Sequence, residues 1–201
     1  MASASTNATF RVFGRQISQS IQLVAALRNR GTPFFQLQQI SELAFLRIYM
    51  AWEMLLEDSF TRFMCGASSL SGSRPRCYVK PRNIDHAREL LIGPKLRYAD
   101  WSDAQLVIER AELIFAGGKP FALPVRAALA ELNDMRIIRN CIAHRSVHTR
   151  DKFNRLVQRR LGVARKLAPG VFLLTPSPAP PQTYLDFFSL YVSTAAQQIV
   201  Q

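Results

Sequence analysis

From Phe34 to Met64 the chain contains neither proline nor glycine and spreads apolar residues over most of the circumference of a helix. A helix of that kind cannot stand at a surface, because water would meet apolar side chains on nearly every side; it has to be surrounded by other helices. Its few charges are clustered: Glu53 and Glu57 lie one turn apart, and Asp58 and Arg62 form an i,i+4 pair. The rest of the chain supplies material of the same class. Val12, Phe13, Ile17, Ile21, Val24, Ala25 and Leu27 follow helical spacing from Phe10 to Arg30, where Gly31 and Pro33 end the run. Further helical segments are predicted over Ile84 to Leu91, stopped by Gly93-Pro94; over Ser102, as N-cap, to Phe115; over Leu123 to His144; over Asp151 to Leu161; and over Tyr184 to Val200. No stretch sustains the strict alternation of a half-buried strand. The expected fold class is all-α, a bundle of roughly five to seven helices.

Between these segments lie the punctuation marks. Residues 1–9 are small and polar and are expected to be a flexible N-terminus. Gly66 to Pro81 is a Ser-, Gly- and Pro-rich loop carrying Arg74, Arg76 and Lys80, with Arg82 just beyond, and is basic enough to embrace an RNA backbone. Gly117-Gly118-Lys119-Pro120 is a turn, since it lacks the spacing of a phosphate-cradling loop and Pro120 removes a backbone donor. Pro169 to Pro181 is too proline-rich for regular structure, with Val171 to Leu174 expected as a short extended piece. The domain reading is a bundle over residues 10–165, followed over 166–201 by a proline-rich linker and a C-terminal helix docked on the bundle.

The formal net charge is +12, and 26 Lys and Arg residues face 14 Asp and Glu. Most of those cations are arginine, whose planar fork matches phosphate, so nucleic acid is the leading partner class; solvated helix faces rich in arginine are the alternative reading of charge alone. Cys65, Cys77 and Cys141 form no C-x-x-C pair and have no histidine spaced to complete a zinc site, so no metal and no cofactor is expected. They read as buried thiols of a reducing cytoplasm. The start of the chain lacks a basic segment followed by an apolar core, and no run is long and apolar enough to span a bilayer, which predicts a cytoplasmic protein without a membrane partner.

The chemistry concentrates at the end of the segment 123–144. On an ideal helix Val125, Ala128, Leu129, Leu132, Met135 and Ile142 share one apolar stripe, and Arg139 falls within it. A guanidinium keeps its charge, so in that position it is expected to face a cleft, a carboxylate or a phosphate. Asn140 and His144 are i and i+4 neighbours. Imidazole can act as acid or base near neutral pH, a permanent cation can hold phosphoryl oxygens as charge grows on them, and an amide can orient either. Arg139 and His144 lie about 140° apart around a helix, so they serve one substrate only if the helix ends or distorts by His144 or a second chain completes the site.

Arg139-Asn140-Cys141-Ile142-Ala143-His144, closing a helix in an all-α chain, resembles the R-N-x-x-x-H signature of HEPN domains. Within that family the chain is most similar to the RiboL-PSP-HEPN group, through Leu132 to His144 and, more loosely, Trp52-Glu53 in an earlier helix. The resemblance implies a HEPN-like helical bundle, a homodimer, and metal-independent endoribonuclease activity on RNA, as in toxins and antiphage or abortive-infection effectors with an antitoxin or regulatory partner protein. Arg139, Asn140 and His144 are then the candidate catalytic residues. Glu53 stands as a surface or ion-paired carboxylate or as an acidic partner to Arg139 or His144. Lys152, Arg155 and Arg159, on one side of the next helix, are candidate RNA-binding residues or else a solvated face. The competing reading of the whole is a catalytically silent helical module that binds RNA or protein.

Overall fold

A computed structural model describes residues 6–92, 99–144, 146–178 and 183–201. Among these residues there are nine α-helices and no strand: α1 (Asn7–Asn29), α2 (Phe34–Met64), α3 (Ile84–Ile92), α4 (Ala104–Ile114), α5 (Ala122–Ala127), α6 (Leu129–His144), α7 (Val147–Leu161), α8 (Pro169–Leu174) and α9 (Tyr184–Val200). The all-α expectation holds, with more helices than periodicity suggested. The segment expected as one helix over 123–144 is two, because Ala128 leaves helical geometry at φ −104°, ψ 11°. Residues 169–174 are helical where an extended piece was expected; Pro169 occupies the first turn, where a missing N–H costs nothing. Helix α1 begins at Asn7, so only part of the N-terminal stretch precedes it, and residues 1–5 lie outside the described residues. So do the Gly93-Pro94 stop, Pro181 and Arg145. No helix among the described residues is long and apolar enough to cross a membrane.

The chain divides into two compact units. One comprises Met1–Gly14, Trp52–Leu129 and Val192–Gln201. Its centre is aromatic: the ring of Phe60 lies 4.5 Å from that of Phe121, 5.0 Å from Phe115 and 5.3 Å from Trp101. Asp103 caps α4, accepting from the backbone N–H groups of Gln105 and Leu106, one residue later than the Ser102 cap expected. Ser102 instead donates its hydroxyl to Asp100, at 2.7 Å. The basic loop after Gly66 is stitched down. Cys77 forms a backbone β-bridge with Phe115, Tyr78 N–H donates to the Ile114 carbonyl and Ala116 N–H to the Arg76 carbonyl, so residues 76–78 of the loop are tied to the end of α4. Gly118 is required where it stands: its φ is +69°, and a Cβ there would sit 2.6 Å from that of Ala122.

The second unit comprises Arg15–Ala51 and Ala130–Tyr191. The buried side chains of α7, Phe153, Leu156 and Val157, follow i, i+3, i+4 spacing. Phe153 meets Phe172 of α8, whose ring stacks 4.4 Å from Tyr184 of α9. Phe188, one turn further along α9, meets Phe45 of α2. Helix α8 lies backbone against backbone on α2: a Cβ added to Gly170 would come within 2.3 Å of the Gln38 carbonyl oxygen, and Gly170 N–H donates to Glu42 at 2.9 Å.

Candidate functional site

Helix α6 presents different faces from those the periodicity suggested. Its buried residues are Leu132, Asp134, Met135, Ile138 and Cys141, a stripe centred on Ile138. Measured from Ile138, Arg139 lies about 100° round the helix, near one edge of the stripe between Met135 and Leu132, and Asn140 and His144 about 200° and 240° round, away from it. The expected stripe ran through Leu129 and Ile142, which are only half-buried, and left out Asp134, Ile138 and Cys141, which are buried. Arg139 is half-buried rather than central to the core face. Its guanidinium turns toward the far face and donates from Nη1 to Asn140 Oδ1 at 3.0 Å. His144 is the last residue of α6 and is exposed.

That far face of α6 forms one wall of a groove of about 610 Å³, with α7 as the other. From α6 come Asn133, Arg136, Ile137 and Asn140; from α7 come His148, Thr149, Lys152, Arg155 and Arg159. The spacing explains the arrangement. On α7 the positions 148, 152, 155 and 159 repeat every three to four residues and so form one row, on the side away from buried Phe153 and Val157. At 1.5 Å per residue the row is about 16 Å long. Arg136, Lys152, Arg155 and Arg159 are four cations, and the described residues lining the groove include no carboxylate. Lys152, Arg155 and Arg159 were singled out from sequence, and the structure brings them together with Asn140. It does not bring Arg139 or His144 into the lining, although His144 stands one turn beyond Asn140 on the same face.

Beneath the groove the two helices are locked by charge. Asp134, a single turn from Ile138 on the buried side of α6, is 3% exposed. It accepts from Arg160 Nε at 2.6 Å and from Arg159 Nη2. Arg160 also reaches Glu131 at 3.4 Å and lies over the Phe187 ring, while its carbonyl accepts from the Tyr184 hydroxyl at 3.1 Å. Burial works against the Arg160 charge, but the hydrogen bonds and charges of Asp134 and Glu131 outweigh it and raise the guanidinium above the ordinary arginine range. Burial likewise pushes the Tyr184 hydroxyl up. Arg159 is thus held at one end of the groove by a carboxylate that is itself out of solvent.

Glu53 is half-buried on α2 within the first unit, whereas Arg139, Asn140 and His144 all belong to the second. Among the described residues no three of His, Cys, Asp and Glu gather as metal ligands. The cysteines depart from expectation: Cys141 is buried, but Cys77 is only partly so and Cys65 is exposed. Compared with family models, curated proteins and solved structures, the chain matches none.

Three contributors were not recognised in the sequence. Arg136 is four residues before Asn140, a spacing that could have placed it on the same face. His148 extends the row of Lys152, Arg155 and Arg159 back by one turn, but only if α7 starts before Asp151. It does, because Ser146 caps it, accepting from Thr149 N–H at 3.2 Å. Asp134 gave no signal at all, its partners being 25 and 26 residues away.

Proposed function

We propose that this chain is a metal-independent endoribonuclease of the HEPN kind, working as a homodimer and serving as a toxin or antiphage effector. The observation that carries the reading is the double membership of Asn140. Its side chain holds the Arg139 guanidinium and also lines a groove furnished with four cations. A single RNA strand laid along the row from Arg159 to His148 meets the cations Arg159, Arg155 and Lys152, and its path leads toward the end of α6, where His144 is exposed. There the motif offers what phosphodiester cleavage needs: an imidazole for proton transfer and a guanidinium for the charge that builds on phosphorus. A dimer supplies a second copy of each, and with it a route round the angular separation of Arg139 and His144 on one helix.

The test is cleavage of single-stranded RNA in EDTA by purified protein, with 2′,3′-cyclic phosphate or 3′-phosphate ends as products. Arg139→Ala and His144→Ala should each remove most activity and leave the fold intact, since neither side chain is buried. Mixing the two variant chains should restore part of the activity if a shared site forms across the dimer. Full activity in either single variant would refute the assignment. A second reading, RNA binding without cleavage, is favoured by one observation: Arg139 is absent from the groove lining. It predicts salt-sensitive RNA binding with no cleavage under any condition.

A further inference from the structure

We infer that His148 is a second catalytic residue of this site, the base that activates the 2′-hydroxyl, with His144 as the acid; the inference rests on the ribonuclease reading above. The chemistry requires two proton transfers. The proton on the 2′-oxygen must leave as the 2′-O–P bond forms, and the 5′-oxygen must gain a proton as the P–O5′ bond breaks. One imidazole starting neutral can take the first proton, and one starting protonated can give the second. The products are a 2′,3′-cyclic phosphate and a free 5′-hydroxyl, with the two imidazoles left in exchanged protonation states.

The fold supplies two imidazoles at one place in the chain. His144 is the last residue of α6 and His148 the second of α7, so they flank a two-residue connection. His148 lines the groove together with Asn140, and Asn140 lies one turn behind His144 on the same face of α6. A strand that follows the cations of α7 therefore reaches His148 before it leaves the groove. The roles are assigned by position: His148 lines the groove that would hold the strand, together with the cations Arg136, Lys152, Arg155 and Arg159, and His144 stands beyond that lining at the end of α6.

The experiment compares wild type, His148→Ala and His144→Ala on one RNA oligonucleotide and on its analogue carrying sulfur in place of the scissile 5′-oxygen. A thiolate leaves without being protonated, so the analogue relieves the need for an acid and leaves the need for a base. His148→Ala should cleave ordinary RNA about 100-fold or more slowly, while its RNA affinity changes by no more than about threefold. The sulfur analogue should restore His144→Ala toward the wild-type rate and leave His148→Ala slow. A purely structural or binding role for His148 would not produce that split. If wild type cleaves and His148→Ala keeps the full rate, or loses rate only in step with affinity, the inference is overturned and the ribonuclease reading stands. Restoration of His148→Ala by the analogue overturns its assignment as base. If wild type binds RNA without cleaving it under any condition, both readings fall together.

Discussion

Replacing Asp134 with alanine tests the joint on which the groove is built. The carboxylate side chain is 4% exposed and its better-buried partner, Arg160, is 22% exposed, so the pair is largely desolvated. Breaking such a pair from one side strands the remaining charge and costs about 3–5 kcal/mol. Arg160 keeps Glu131 at 3.4 Å and some contact with water, which places the loss at the low end of that range, about 3 kcal/mol. Arg159, at 59% exposure, is screened and adds no more than about 1 kcal/mol. With a urea dependence of about 2 kcal/mol per molar, the unfolding midpoint should fall by about 1.5 M with the slope unchanged. The companion variant Asp134→Ala with Arg160→Met removes the stranded charge and should recover part of the loss, since apolar replacement of both partners is far cheaper than orphaning one. Urea unfolding followed by circular dichroism reads both. A loss below about 1 kcal/mol for Asp134→Ala, or no recovery in the double variant, would show that the cluster is not what joins α6 to α7.

Gly170→Ala should destabilise by about 1–3 kcal/mol, because the new methyl meets the Gln38 backbone, whereas Gly14→Ala, with open space around it in α1, should stabilise by about 0.5–1 kcal/mol; thermal melts of the two variants should therefore move in opposite directions. Phe60→Ala removes the ring at the centre of the aromatic cluster and should cost about 3–5 kcal/mol in urea unfolding. Lys152→Ala and Arg155→Ala should each weaken single-stranded RNA binding and each shrink the slope of log affinity against log salt by about 0.7, measured by titration at several salt concentrations. Cys65 should react slowly for an exposed thiol: burial of the sulfur and the neighbouring Cys77 raise it above the usual cysteine range, so at pH 8 alkylation should run slower than in an unstructured peptide. Equal rates would refute that account.

The all-α class was legible because apolar periodicity survives in every long segment, and the row Lys152, Arg155, Arg159 was legible because helical spacing alone puts those residues on one side. What failed was phase. Nothing at Ala128 announces a break, as neither glycine nor proline stands there, and within α6 the stripe drawn through half-buried Leu129 and Ile142, missing buried Asp134, Ile138 and Cys141, put Arg139 at its middle. The helix at 169–174 was hidden by a proline that reads as a breaker yet is harmless in a first turn. His148 was hidden by the two-residue connection before it, too short to mark by composition. Asp134 was hidden for a deeper reason: a carboxylate in a helix reads as a surface residue until the arginines that neutralise it are seen folding over it. Local pattern reports which face a residue occupies, and long-range partners decide what it does there.

The first compact unit closes on residues from the far end of the chain. Ser69 and Ser71 both donate to the Gln201 carbonyl, 132 and 130 residues away, and Leu70 N–H donates to the Val200 carbonyl. A ribosome that has just delivered Leu129 has roughly seventy residues still to add before those acceptors exist, several seconds at about 5–20 residues per second. During that interval the aromatic residues of 52–129 must wait without the stretch that completes their unit, exposed to chaperones and to one another. Birth order in this chain runs against assembly order, and its yield in a cell should depend on how well that pause is guarded.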